Sequence, residues 1–208
     1  MSGFSKKVLL TLGFLAVSSL ANANLLTNGG FEGSTSSTAT PPGWFNIGHS
    51  DGVITYASFG TPAYDGNNYY DLGGYGNAWG PIGDGIAQSF ATIIGQTYLV
   101  SFGLSGENSS GDETLTVAAG NASFDYLLTP TGQGVFKREF VTQNFNFVAT
   151  DATTTLSFIH TAGQGGNNDP LIDGVSVTAA VPEPETYAMM LLGFGAIGFM
   201  RSRRNRKA

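Results

Sequence analysis

An aromatic and amide-rich stretch, AYDGNNYYDLGGYGNAWG, holds the side chains of this sequence that are best suited to ligand chemistry. Aromatic faces stack on the apolar faces of sugar rings, while carboxylates and amides hydrogen-bond sugar hydroxyls. The density of glycine and asparagine indicates a loop that would expose these groups. We therefore predict a carbohydrate-binding surface made of Tyr64, Asp65, Asn67, Tyr69, Tyr70, Asp71, Tyr75 and Trp79. Two alternatives stay open: the rings are half-buried packing residues, or the loop is a protein-binding edge.

Catalytic groups are sparse. The chain has no cysteine, and its histidines are His49 and His160. No G-x-S-x-G nucleophile motif occurs. Glu107, Asp112 and Glu113 form an acidic segment that could imitate a glycosidase pair, but their spacing in a polar loop favours solvated carboxylates. We expect a noncatalytic protein.

Charge is distributed unevenly. All 15 acidic residues lie between Glu32 and Glu185, and the only basic residues in that interval are Lys137 and Arg138. Such an acidic body repels phosphate groups, so we expect no nucleic acid partner.

The body from 24 to 180 lacks helical periodicity and contains short alternating segments between glycine- and asparagine-rich turns. In QTYLVSFGLS, for example, Tyr98, Val100, Phe102 and Leu104 share one face. In VFKREFVTQNFNFVA, Phe136 and Phe140 stand at even positions, whereas Phe145 and Phe147 stand at odd positions. This change in the alternation, at 142–144, suggests a turn or bulge. Counting a segment around Phe31, we predict about nine strands. The predicted fold is an all-β jelly-roll β-sandwich, with an up-and-down barrel as the alternative.

The N-terminus has the order of a secretory signal peptide. Lys6 and Lys7 precede an apolar core, and Ala21 and Ala23 form an A-x-A cleavage box. We predict a signal peptide over 1–23, removed by signal peptidase. A buried N-terminal helix is the alternative.

The C-terminus, 181–208, has three parts. Pro182, Glu183 and Pro184 form an extended spacer, an apolar run follows from Tyr187 to Met200, and an arginine-rich tail ends the chain. As a helix, the apolar run spans about 21 Å, against about 30 Å of hydrocarbon. Basic residues behind it would stay cytoplasmic and leave the body outside.

This tail resembles the PEP-CTERM sorting signal of Gram-negative bacteria, through its Pro-Glu-Pro, apolar run and arginine-rich end. The resemblance implies transient anchoring in the inner membrane by a hydrophobic helix. An exosortase-type protease would then process the protein for the cell surface or extracellular matrix. An ordinary single-pass anchor is the alternative.

The body resembles galactose-binding-like β-sandwich modules. NLLTNGGFEGS and PPGWFNI look like their opening, and DPLIDGVSVT looks like their last strand. The resemblance implies a core position for Trp44 and a carbohydrate-binding ancestry. It also implies a structural calcium ion held by Glu32 and Asp173, where the first and last strands meet. The alternative is that each is a solvated or capping carboxylate.

Together these features predict a secreted, noncatalytic protein. Its 24–180 domain would bind carbohydrate or be associated with an exopolysaccharide matrix. The alternatives are a structural or adhesive surface protein that binds other proteins and, third, a secreted polysaccharide-active enzyme.

Overall fold

A computed structural model describes residues 23–33, 40–48, 52–55, 62–73, 82–106, 111–130, 139–163, 169–180 and 192–194. These residues form ten β-strands. The strands are β1 (Phe45–Ile47), β2 (Gly52–Thr55), β3 (Asn68–Asp71), β4 (Gly85–Ala91), β5 (Thr97–Gly106), β6 (Glu113–Ala119), β7 (Ala122–Leu128), β8 (Val141–Val148), β9 (Thr153–Gly163) and β10 (Pro170–Ala179).

The strands make two five-stranded antiparallel sheets. The first has the order β1-β4-β9-β6-β7, and the second has the order β2-β3-β10-β5-β8. The predicted all-β sandwich is confirmed, and the barrel alternative is wrong because the strands belong to two separate sheets. The edge strands are β1 and β7 in the first sheet and β2 and β8 in the second.

Alternation along the strands builds the core between the sheets. Tyr98, Val100, Phe102 and Leu104 of β5 are all buried there, as their predicted common face requires. Trp44 is also buried, and its indole N–H donates a 3.0 Å hydrogen bond to the Asn28 carbonyl oxygen. Its predicted core position is therefore confirmed.

Two local predictions are wrong, and two strands are missing from the prediction. Phe31 is not in a strand: it lies between turns with a positive φ of 54° and is fully buried. Strands β1 and β3 were not predicted. Strand β8 pairs with β5 in one unbroken register, so the parity change at 142–144 marks no bulge. Phe140 lies just before β8 and packs on the outer side of the second sheet with Tyr69, whereas Phe145 and Phe147 face the core.

The predicted signal peptide, with Ala21, lies outside the described residues, which begin at Ala23. Pro182, Glu183, Pro184 and the arginine-rich tail also lie outside them, and only 192–194 of the apolar run is described, as a helical segment. Within the described part of the chain, no helix has both the length and the apolar character needed to cross a membrane.

Candidate functional site

The outer face of the second sheet carries an exposed tyrosine that lies flat on the backbone. A Cβ atom added to Gly103 would lie 2.6 Å from Tyr64 Cγ, and one added to Gly174 would lie 2.6 Å from Tyr64 Cδ1. The ring therefore rests on two glycines that have no side chain to displace it. The Tyr64 hydroxyl shares a 2.7 Å hydrogen bond with Thr142 Oγ1, which fixes the ring, yet the residue remains 43% exposed.

Polar side chains follow this tyrosine in its loop and line β8 on the same outer face. Asp65 and Asn67 are exposed in the same loop. Asn144 and Asn146 of β8 are exposed on the outer face, where they pair with Ser101 and Leu99 of β5. The sequence prediction missed these β8 residues, although TQNFNFV alternates amides with buried phenylalanines and so contained the signal. We call Tyr64, Thr142, Asn144 and Asn146 the platform face.

The other predicted sugar-binding residues do not share this exposure. Tyr69, Tyr70 and Asp71 belong to β3 and are buried, so the prediction of an exposed loop is wrong for them. Tyr70 lies in the main core beside Phe31, and Tyr69 packs with Leu171 in a smaller cluster on the outer side of the second sheet. Neither ring is accessible for stacking on a sugar. Tyr75 and Trp79 lie outside the described residues.

Glu32 and Asp173 hold the loop that presents Tyr64. The backbone N–H groups of Tyr64 and Asp65 each donate to Asp173 Oδ2 at 2.8 Å. The N–H groups of Asn67 and Asn68 donate to Glu32 Oε1 at 2.6 and 2.8 Å. Residues near the beginning and the end of the domain thus bind the two halves of one short loop.

These contacts also test the predicted calcium site. Calcium requires six to eight oxygen ligands, but four loop N–H groups already point at these two carboxylates. Asp173 Oδ1 accepts a fifth N–H, from Gly174, at 2.6 Å. Among the described residues, no cluster of three or more His, Asp or Glu side chains could hold a metal ion. In this arrangement the residues do not fit a calcium ion, and calcium stays a prediction.

Asp173 is a fully buried carboxyl group. Burial raises its pKa from 3.8 to about 7, and the nearby Asp65 carboxylate adds to the rise, whereas the three backbone N–H donors oppose it. The carboxyl group that holds the loop is therefore harder to ionise than an aspartate in water.

A second buried polar pair lies between the sheets. His160 Nε2 is 2.5 Å from Glu113 Oε2, and both side chains are almost fully buried. The expectation that Glu113 is a solvated loop residue is wrong, because it begins β6 and faces inward. Among the described residues, Glu113 Oε1 and His160 Nδ1 find no hydrogen-bond partner. A substrate would reach this pair only if the sandwich opened, which favours a role in packing.

Comparisons with known proteins agree with this architecture. The xylan-binding CBM22-1 domain of Paenibacillus barcinonensis Xyn10C superposes with a TM-score of 0.50 at 15% identity, covering 80% of this chain and 100% of that one. An arabinose-bound GH51 α-L-arabinofuranosidase gives a TM-score of 0.52 at 20% identity, covering 76% of this chain and 26% of that one. No curated protein sequence matches. The structural likenesses show that the fold is that of a carbohydrate-binding-module-like β-sandwich.

Two sequence families match the chain in succession. Residues 180–204 match the PEP-CTERM protein-sorting motif, which confirms the resemblance drawn from Pro182, Glu183 and Pro184. Residues 24–178 match the family described as "Protein of unknown function (DUF642)", which covers most of the chain and the whole sandwich. The protein therefore belongs to the DUF642 family and carries a PEP-CTERM motif behind its β-sandwich.

Proposed function

We propose that this protein is an exported, noncatalytic carbohydrate-binding protein of the bacterial surface or exopolysaccharide matrix. The observation that carries the proposal is Tyr64, an aromatic ring backed by two glycines, fixed by Thr142 and exposed to solvent. A rigid exposed ring stacks on a sugar with little loss of conformational entropy. Exposed Asn144, Asn146 and Asn67 supply donors and acceptors for sugar hydroxyls.

Two further findings support the proposal. The fold is shared with the xylan-binding CBM22-1 domain described above, which makes xylan a reasonable first probe. The PEP-CTERM motif supports export and processing by an exosortase-type protease, and this would bring the platform face into contact with extracellular polysaccharide. Signal peptidase cleavage at Ala23 and transient anchoring in the inner membrane of a Gram-negative bacterium complete the proposed route.

The test is a binding assay of the purified protein against xylan and the exopolysaccharide of its own host. Tyr64→Ala should lower the affinity for the bound polysaccharide about tenfold, which corresponds to about 1.4 kcal/mol. Phe45→Ala is the matched control, because Phe45 is 47% exposed but lies in β1 of the other sheet. Failure to bind any of these polysaccharides would contradict the proposal, as would equal binding by the wild-type protein and the Tyr64→Ala variant.

A structural or adhesive role is the second candidate function. It is favoured by apolar side chains exposed on edge strands β7 and β8, among them Phe124 and Val141. Loss of cell-to-cell adhesion on deletion of the protein, without any polysaccharide binding, would favour this role over the first.

A further inference from the structure

Within the described residues, strands β7 and β8 are the outermost strands of the two sheets on the same side of the sandwich. Between them lies a groove of about 390 Å³, whose lining includes Leu104, Tyr126, Leu128, Val141 and Gln143. Tyr126, Leu128 and Gln143 project from strands whose inner faces form the core, so the groove is the core continued to the surface. Burial in this groove raises the pKa of the Tyr126 phenol.

Within the described residues, which omit the connecting segment 131–138, these edges carry little of the usual protection against pairing with another strand. Natural edge strands are shielded by lysine, proline, bulges or covering segments. Here β7 and β8 contain no basic residue and no proline, and Asp125 is their only charged residue. Phe124 is 44% exposed and Val141 is 56% exposed. The Val148 N–H at the end of β8 is an exception, because it donates a 3.2 Å hydrogen bond to Asn121 Oδ1.

We propose that the edge surface, defined as Phe124, Tyr126, Val141 and Gln143, pairs with the same surface of a second copy of this chain. A two-fold axis perpendicular to both sheets would pair β7 with the partner's β7 and β8 with the partner's β8, each antiparallel. Both sheets then continue across the dimer, and the two grooves join into one apolar layer. Self-complementary two-fold interfaces of this kind are the commonest way that identical chains associate.

The geometry and the charge of the edge surface favour a second copy of this chain as the partner. Packed sheets lie about 10 Å apart, so a single extended peptide would pair with one edge and leave the other open. A second copy presents two edges with the required separation. The body is strongly acidic, and its copies repel one another over most of their surfaces. Within β7 and β8, Asp125 is the only charged residue, so these two strands themselves add little to that repulsion.

Sedimentation equilibrium of the purified protein across a concentration range tests this interface. We expect a reversible dimer that Phe124→Lys and Val141→Lys each weaken about tenfold or more, since each would bury an unpaired charge. Phe45→Lys is the matched control: it changes an equally exposed phenylalanine on another edge strand, β1, and should leave the dimer intact.

Hydrogen exchange of the wild-type protein gives a measurement that does not depend on variants. Amides of β7 and β8 should become more protected as the protein concentration rises, while those of β1 and β2 should not. The proposal is overturned if the protein stays monomeric at every concentration. It is also overturned if association persists in both lysine variants, or if protection increases elsewhere and leaves β7 and β8 unchanged.

Discussion

At Gly103, the missing side chain is what allows Tyr64 to lie against the second sheet. The Cβ atom of an alanine there would come within 2.6 to 2.9 Å of three ring carbons, closer than the ring can tolerate without moving. Gly103→Ala should therefore displace Tyr64 and reduce polysaccharide affinity almost as much as Tyr64→Ala does. Ser101→Ala, two residues away on the same face, should have little effect on the ring. Unchanged polysaccharide affinity in Gly103→Ala, measured by calorimetry, would show that binding does not depend on the position of the Tyr64 ring.

The ionisation of Asp173 links this site to pH. Because the pKa of Asp173 is about 7 in the folded protein and 3.8 when unperturbed, the folded state holds an extra proton between these values. Its contribution to stability is therefore complete below about pH 4 and falls as the pH rises through 7. Urea denaturation at a series of pH values should show this decline in wild-type protein and lose it in Asp173→Asn. Asp151→Asn, which changes an exposed carboxylate, should retain the decline. A decline of the same size in Asp173→Asn would assign it to another group.

At the scale of elements, the Tyr64–Asn68 loop depends on acceptors supplied from both ends of the domain. Glu32→Gln replaces a carboxylate that receives two N–H bonds, at 2.6 and 2.8 Å, with a neutral amide. We expect a loss of about 1–2 kcal/mol in unfolding free energy, the usual weight of charge-assisted hydrogen bonds. Glu139→Gln, at an exposed position before β8, should leave the stability unchanged.

The same loop decides the calcium prediction. If the N–H bonds alone hold the loop, EDTA should leave the melting temperature of the wild-type protein unchanged. A fall in melting temperature that added calcium reverses, and that disappears in Glu32→Gln, would instead establish the metal site and contradict the arrangement of contacts described above.

How far sequence can predict such elements depends on their surroundings. Alternation identified β5 and β9 because one face of each is buried and the other is polar. It missed β3, in which Tyr69 and Tyr70 are buried on opposite faces, so no alternation remains and the neighbouring asparagines and glycine imitate a loop. The same reason explains Phe140, an aromatic residue on the outer face that looked like a break in the register.

The candidate site was partly predictable for a related reason. The residue types around Tyr64 predict sugar stacking, and Tyr64 does lie exposed in a loop, as that prediction requires. Its backing by Gly103 and Gly174, and the convergence of Glu32 and Asp173 on its loop, depend on contacts between residues at least 35 positions apart in the sequence. No local pattern encodes such contacts, because they arise only when β10 pairs with β5 and β3.

At the scale of the whole molecule, strand β8 connects the two proposals. Thr142 points outward and bonds Tyr64, whereas Val141 and Gln143 point to the groove. Pairing β8 with the partner's β8 would therefore set two platform faces side by side on one continuous sheet. Two linked sites on one polymer bind with greater avidity than either site alone.

Sorting is the remaining property of the whole chain, and it depends on the segment behind the sandwich. The acidic body ends at 180, and the PEP-CTERM match covers 180–204. If recognition requires the rigid Pro-Glu-Pro spacer, then replacing Pro182, Glu183 and Pro184 with alanine should leave an unprocessed chain in the inner-membrane fraction. Immunoblotting and mass spectrometry of cell fractions would detect the retained arginine-rich tail. Alanine at Glu185 and Thr186, immediately after the motif, is the control and should still permit processing. Normal trimming and release of the triple variant would mean that the apolar run and the basic tail suffice for sorting.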